Sequence, residues 1–325
     1  SFVTKVETDW AGSGHEVAWE QFILSPRVTA IRPIAQGTLL DISELADELV
    51  IKAAEMVSFR FNKNTGNLVS YQTSDKEQLL EPVRPNFWRA VTDNDLGNKL
   101  HERCAVWRNA SINPQLLRFN WRAIENGCIV SADYILATDP ISTLSIEYRI
   151  MSGGTMEIQE QLVPGNGLPE LPEFGMMLVL DGSLDTVSWY GRGPHDNYWD
   201  RHTGARLGLY SGSVCEQFVP YLRPQECGNK TDVRFAGLTQ GVNGPGLRFE
   251  ASAPMEFNAL PWTPEELEAH DHVYKLPPSD KTVVRVNYKQ MGVGGDDSWG
   301  ARTHEEFTLP ANRPYCFQFT LRPLG

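Results

Sequence analysis

The chain is short of most signatures by which a sequence announces its chemistry. Cysteine is scarce: five in 325 residues (Cys104, Cys128, Cys215, Cys227 and Cys316), odd in number, widely spaced and never in a CxxC pair. That pattern excludes a disulfide framework and a zinc knuckle, and leaves a single pair, and with it the redox compartment, open. Positive charge is in deficit, with 29 Lys and Arg against 41 Asp and Glu, a net charge of −12. With no basic cluster to follow a phosphate backbone, no nucleic-acid partner is expected. No apolar run approaches the roughly 20 residues that cross a bilayer, so no membrane partner is expected. The opening SFVTKVETDW holds neither a start Met nor the apolar core of a signal peptide.

Phosphate and calcium loops are missing too. The densest glycine stretch, MGVGGDDSWG at 291–300, is followed by no Gly-Lys-Ser/Thr and lacks EF-hand spacing. Its adjacent Asp296 and Asp297 point to opposite faces of an extended backbone. They therefore do not form a glycosidase carboxylate pair, which stands about 5–5.5 Å apart for retention or about 6.5–9.5 Å for inversion. The plain reading is a glycine-rich loop whose aspartates cap their own turn. Trp299, just beyond, is the exception: a loop Trp either plugs the core or serves as a stacking platform. Helical signals are few. TPEELEAHDH (263–272) has Thr263 as N-cap and Pro264 at the first helical position. DISELADELV (41–50) reads equally as a short helix or as the lead into a strand.

What is present is strand. SFRFNKNTGNLVSYQ (58–72) is a hairpin around Asn64-Thr65-Gly66, with Gly66 at the positive-φ position. LLRFNWRA, CIVSADYIL, STLSIEYRI, TMEIQEQLV, GMMLVL, TVSWYG, GLRFEASA, TVVRVNYKQ, EEFTLP and PYCFQFTLRPL continue the theme between Gly and Pro turns. Many short strands near ten-residue spacing predict an all-β sandwich, not a βαβ array. VAWEQFIL (17–24) reads as a buried strand with no domain before it, so the chain is expected to be an excised fragment.

Four further segments carry candidate chemistry. VRPNFWRAVTDNDLGN (83–98) offers Asp93, Asn94 and Asp95 to sugar hydroxyls or a hard cation, with Gly97 able to let the loop move; the alternative is an Asx-rich turn ending a strand. WYGRGPHDNYWDR (189–201) places His195 among aromatics and aspartates, an acid–base site or a strand-end corner. YLRPQECGNKTDVRF (221–235) holds Glu226 and Asp232, and its Cys227 has no neighbouring His to activate a thiol. His270 and His272, two apart, would splay on a helix and read as surface residues.

Taken in order, FRFNKNTGNLVSYQ, RPNFWRAVTDNDLGN, WYGRGPHDNYWDR, YLRPQECGNKTDVRF and MGVGGDDSW resemble the C-terminal small domain of bacterial β-galactosidases of the LacZ type, glycoside hydrolase family 2. The resemblance spans roughly residues 48–300. It implies a large antiparallel supersandwich, galactose mutarotase-like, with few short helices. It divides the chain into a closing strand of an immunoglobulin-like domain (1–26), a linker (27–47) and the small domain (48–325). In that family the acid/base and nucleophile are glutamates on an upstream TIM barrel, so no catalytic residue is expected here. The family's magnesium and sodium lie mainly outside this domain, and no cofactor or metal site is expected within this chain. Trp299 matches the tryptophan that reaches into the galactoside pocket, and Asp93, Asn94, Asp95 and Gly97 match a loop at its mouth. Cys227 and Trp199 depart from the Asn and Pro common in relatives. The implied partners are a β-galactoside, the upstream domains and a homo-oligomer, in the cytoplasm or periplasm. A free-standing mutarotase-like or sugar-binding protein is the alternative, and His195 with Glu226 is the pair it would use.

Overall fold

The computed structural model describes residues 1–22, 24, 40–53, 56–297 and 299–324. Two compact units divide the chain near Arg32. In the first, β1 (Phe2–Val3) pairs antiparallel with β2 (Glu16–Ala18). The buried strand expected over 17–24 is not found. β2 is three residues long, and Val17, Phe22 and Leu24 are exposed. A two-stranded ribbon has no second layer to cover its apolar side. Of the expected linker (27–47), residues 27–39 lie outside the described residues.

The second unit opens on a five-strand meander: β3 (Asp41–Glu44), β4 (Glu48–Lys52), β5 (Val57–Asn62), β6 (Leu68–Thr73) and β7 (Lys76–Glu77). DISELADELV is thus a hairpin, closed by Leu45 N–H to Glu48 O, and the end of the expected linker belongs to this sheet. The hairpin expected at 58–72 is β5–β6. Asn62 Oδ1 accepts from the amides of Asn64 and Thr65, and Gly66 sits at φ +75°.

A larger antiparallel sheet follows. Its long path runs β15 (Arg206–Ser213), β14 (Thr186–Gly193), β16 (Lys230–Thr239), β17 (Gly246–Leu260), β19 (Tyr315–Leu324), β12 (Met156–Val163), β11 (Ser142–Met151), β10 (Gly127–Leu136), β9 (Gln115–Ile124). At β17 a branch leaves through β18 (Lys281–Gln290) to β13 (Glu173–Asp181) and β8 (Arg84–Asn86). β17 serves both arms, pairing with β19 over Gly246–Glu250 and with β18 over Glu256–Leu260. The fold is mostly antiparallel strand with few short helices, as the strand periodicity predicts.

Burial follows the period-2 pattern where one face meets solvent: β12 alternates at nearly every step. β13 does not alternate and is buried on both sides. Its Phe174, Met176, Leu178 and Leu180 enter the main core, while Met177 and Val179 pack with Val283 on the other face. The helices α1 (Asp93–Gly97), α2 (Leu100–Arg103), α3 (Ala105–Ile112) and α4 (Pro264–Glu268) lie in two connections. α4 starts where Thr263 and Pro264 predict, with a capping box between Thr263 and Glu266. EEFTLP, expected as strand, holds one 3₁₀ turn at Glu305–Phe307.

Candidate functional site

β13, β18 and β17 run side by side, and every second residue points away from the main core. These are Glu173, Gly175 and Met177 on β13, Arg285 and Asn287 on β18, and Glu256 and Asn258 on β17. A bulge at Tyr288 adds one residue to β18, so Gln290 faces the same way as Asn287. The result is a sheet face that is polar and buried at once.

Arg285 answers two carboxylates there. Nη1 donates to Glu173 Oε2 at 2.5 Å, and Nη2 donates to both oxygens of Glu226 at 2.7 and 2.6 Å. Glu226 also accepts from Gln290 Nε2 (3.1 Å) and the Tyr198 hydroxyl (3.3 Å). Burial pushes the Glu173 carboxyl up, against the pull of Arg285 and with the push of Glu226. Such a triad holds structure; losing one member of a buried pair costs about 3–5 kcal/mol.

Loops of unusual composition knit above this face. Arg89, fully buried, donates to the carbonyls of Met291 and Gly292 (the latter at 3.0 Å) and to both oxygens of Asp95 at 3.0 and 3.1 Å. Asp95 in turn accepts from Thr92 N–H at 3.0 Å, while Thr92 Oγ1 accepts from Asp95 N–H at 3.1 Å. Arg89 therefore clasps α1 to the start of MGVGGDDSWG. Asn94 Nδ2 adds a bond to Val293 O at 3.2 Å, and Asp200 accepts from Gly294 N–H at 2.8 Å. Asp93 exchanges two 3.0 Å bonds with Gln225. A Cβ on Gly300 would meet Gly97 O at 2.8 Å, and Gly300 holds φ +143°, so the two loops touch through glycine.

The tip is fixed by its own acid. Asp297 Oδ1 accepts from the amides of Trp299 (2.8 Å), Gly300 (3.2 Å) and Ala301 (3.1 Å), which hold its carboxyl below the usual range, Trp299 foremost. Asp296 takes a 2.8 Å contact from His304 Nε2, and that bond holds the imidazole above its ordinary value. On this braced tip Trp299 is 88% exposed. A cavity of about 460 Å³ adjoins the same loop, lined by Glu170, Met291, Arg302, Thr303 and Glu305 among others.

Sequence-predicted residues thus separate by role. Trp299 is open, and Asp93 keeps 70% of its side chain exposed. Asn94 is half-buried on Val293. Asp95 is buried and spent on Arg89 and the helix cap, which removes it from contact with a ligand. Gly97 serves close packing. The TDNDLGN segment is a capped helix, not a turn. His195 is exposed, while Glu226 is saturated by Arg285, Gln290 and Tyr198; no hydrogen bond between the two is found among the described residues. That leaves the acid–base pair of the alternative reading without support. Cys227 is buried and its thiol is pushed up to about 12, so it stays protonated. His270 bonds Glu266 O and His272 meets Asp271, both within the α4 region. The clasp residue Arg89 and the Arg285 triad were missed by spacing, because their partners, Asp95 apart, lie 59 to 203 positions away.

Comparison with known proteins adds the following. Residues 53–321 match the β-galactosidase small-chain family. A β-galactosidase of Priestia megaterium is 48% identical over 318 residues, which cover 98% of this chain and 30% of the relative. β-Galactosidases of Halalkalibacterium halodurans and Lactobacillus delbrueckii subsp. bulgaricus are 34% and 32% identical, with 31% of each covered. The chain therefore spans about 30% of the length of these relatives. Among solved structures, a galactose 1-epimerase from Lactobacillus acidophilus aligns with 88% of this chain and 98% of its own at a TM-score of 0.49 and 8% identity.

Proposed function

The chain belongs to the β-galactosidase small-chain family, and from that premise we propose that it is the C-terminal portion of a retaining β-galactosidase of glycoside hydrolase family 2. In this reading the whole enzyme hydrolyses terminal β-D-galactosides such as lactose in the cytoplasm or periplasm. The nucleophile and acid/base come from an upstream barrel of the same polypeptide, with magnesium and sodium bound mainly outside this chain and the protein assembled as a homo-oligomer. This chain supplies an aromatic platform to the sugar pocket.

One observation carries the proposal: a tryptophan held almost fully in solvent on a tip that is braced from four sides. Exposing an indole has a hydrophobic cost, and a mobile loop would let the ring fold back. Here Asp297, Arg89, Asp200 and the Gly97–Gly300 contact hold the backbone instead. A rigid, exposed ring suits the apolar C–H face of a galactoside. Asp93, next along the rim, keeps 70% of its side chain exposed toward the sugar hydroxyls, with Oδ2 accepting from Gln225 and Oδ1 3.6 Å from Arg223. Replacing Trp299 by Ala in the whole enzyme should remove about 1–3 kcal/mol of stacking. The expected result is a fall in kcat/KM of about 5- to 150-fold. Wild-type KM and kcat in that variant would take Trp299 out of the site.

A further inference from the structure

Trp299 is presented by its backbone alone. Among the described residues its indole makes no ring contact and no hydrogen bond, and only its amide is engaged, by Asp297. Whatever sets the path of the chain around the tip therefore sets where the ring stands. Asp297 does so from within, through three amides in succession. Asp296 has no bond to those amides among the described residues; its Oδ1 meets His304 Nε2 at 2.8 Å, eight positions along the chain.

His304 is a fixed anchor. It precedes the 3₁₀ turn Glu305–Phe307, and Phe307 N–H donates to His304 O at 2.9 Å. Gly292 N–H donates to Phe307 O at 2.8 Å, which ties that turn to the start of the glycine-rich stretch. The Phe307 ring stands edge-on to Trp199 with centroids 5.7 Å apart. The Asp296–His304 bond thus runs from the tip to a turn bonded to the tip's own base. Between them the two limbs already touch, since a Cβ on Gly295 would meet Ala301 O at 2.4 Å.

Charge strengthens the tether. Asp296 foremost, and Glu306 from the 3₁₀ turn, favour the imidazolium against its partial desolvation. Arg302 and Glu305 flank His304 in the chain and form no hydrogen bond with its ring among the described residues. Both partners of the pair are exposed, so it adds little to global stability. Its effect is local, on a segment whose one large side chain is held out in solvent.

We infer that His304 is a positioning residue for the sugar site: by gripping Asp296 it fixes the tip that presents Trp299, a role that rests on Trp299 being the platform proposed above. The bond is charged on the acid side and loses that charge as pH rises through the raised pKa of the imidazole.

The test measures KM, kcat and Tm of the whole enzyme on an aryl β-galactoside from pH 6 to pH 9. His304→Ala should raise KM about two- to fivefold at pH 6, with kcat and Tm close to wild type. Asp296→Ala should do the same, and the double variant should be no worse than either alone. His304→Gln keeps a neutral donor in place of Nε2, so its KM should exceed that of wild type at pH 6 and match it at pH 9. Trp299→Ala is the control that separates the two readings. If it has wild-type kinetics, the platform itself is refuted. If it is impaired while His304→Ala keeps a wild-type KM at pH 6, the role of His304 is overturned. Additive losses in the double variant, or a His304→Gln to wild-type KM ratio that does not change with pH, would overturn it too. Should His304→Ala fail to fold, the pH dependence of the His304→Gln ratio decides.

Discussion

Glu160 shows what a single side chain can do to a fold of this kind. It sits on β12 between Ile158 and Leu162, fully buried, and among the described residues neither carboxyl oxygen has a partner. Burial alone pushes it up to about 8. A carboxyl whose folded pKa lies above its unfolded value of about 4.5 contributes stability that is complete below pH 4.5 and lost as pH rises through 8. Gln is the neutral isostere. Glu160→Gln should leave the urea midpoint unchanged at pH 4 and raise it at pH 9; a variant less stable than wild type at pH 9 would mean that the charge is needed. The residue scale is also where sequence reading was weakest. Glu160 occupies an inward position of the alternating TMEIQEQLV run, and alternation names the face of a residue without naming its partner. The same gap hid Arg89 and Arg285, whose roles depend on strands and loops brought together by the fold.

At the scale of elements, local chemistry was legible and long-range cover was not. Asn64-Thr65-Gly66 closes the hairpin it predicts, and Thr263-Pro264 starts the helix it predicts, because both signals act within four residues. The strand β13 reads as the apolar run GMMLVL, but its two buried faces are not distinguishable from one until its covering loops are placed. The helices α2 and α3 were overlooked although Leu100, Cys104 and Trp107 recur at helical spacing and are buried. Preceding them, Thr92-x-x-Asp95 is a capping box whose acid also receives Arg89. Thr92→Ala removes the cap of α1 and should lower stability by about 1 kcal/mol. That corresponds to about 2–4 °C in Tm, measurable by calorimetry. A loss within error would show that Arg89 alone holds the helix start.

For the molecule as a whole, the proposed division of labour makes the chain inert alone, so it should give no turnover of an aryl β-galactoside, and enzyme-like rates would refute the fragment reading. Its stability should fall on both sides of an acidic optimum. On the acid side, carboxyls held low by hydrogen bonds and ion pairs, among them Asp181 with Ser183 and Lys76, and Asp297, give stability that vanishes as pH drops below their usual range. On the alkaline side three buried carboxyls are held high: Glu160 and Glu256, each to about 8, and Glu173. Their protons are bound more tightly in the folded chain, so the stability they give below pH 4.5 drains away up to pH 8.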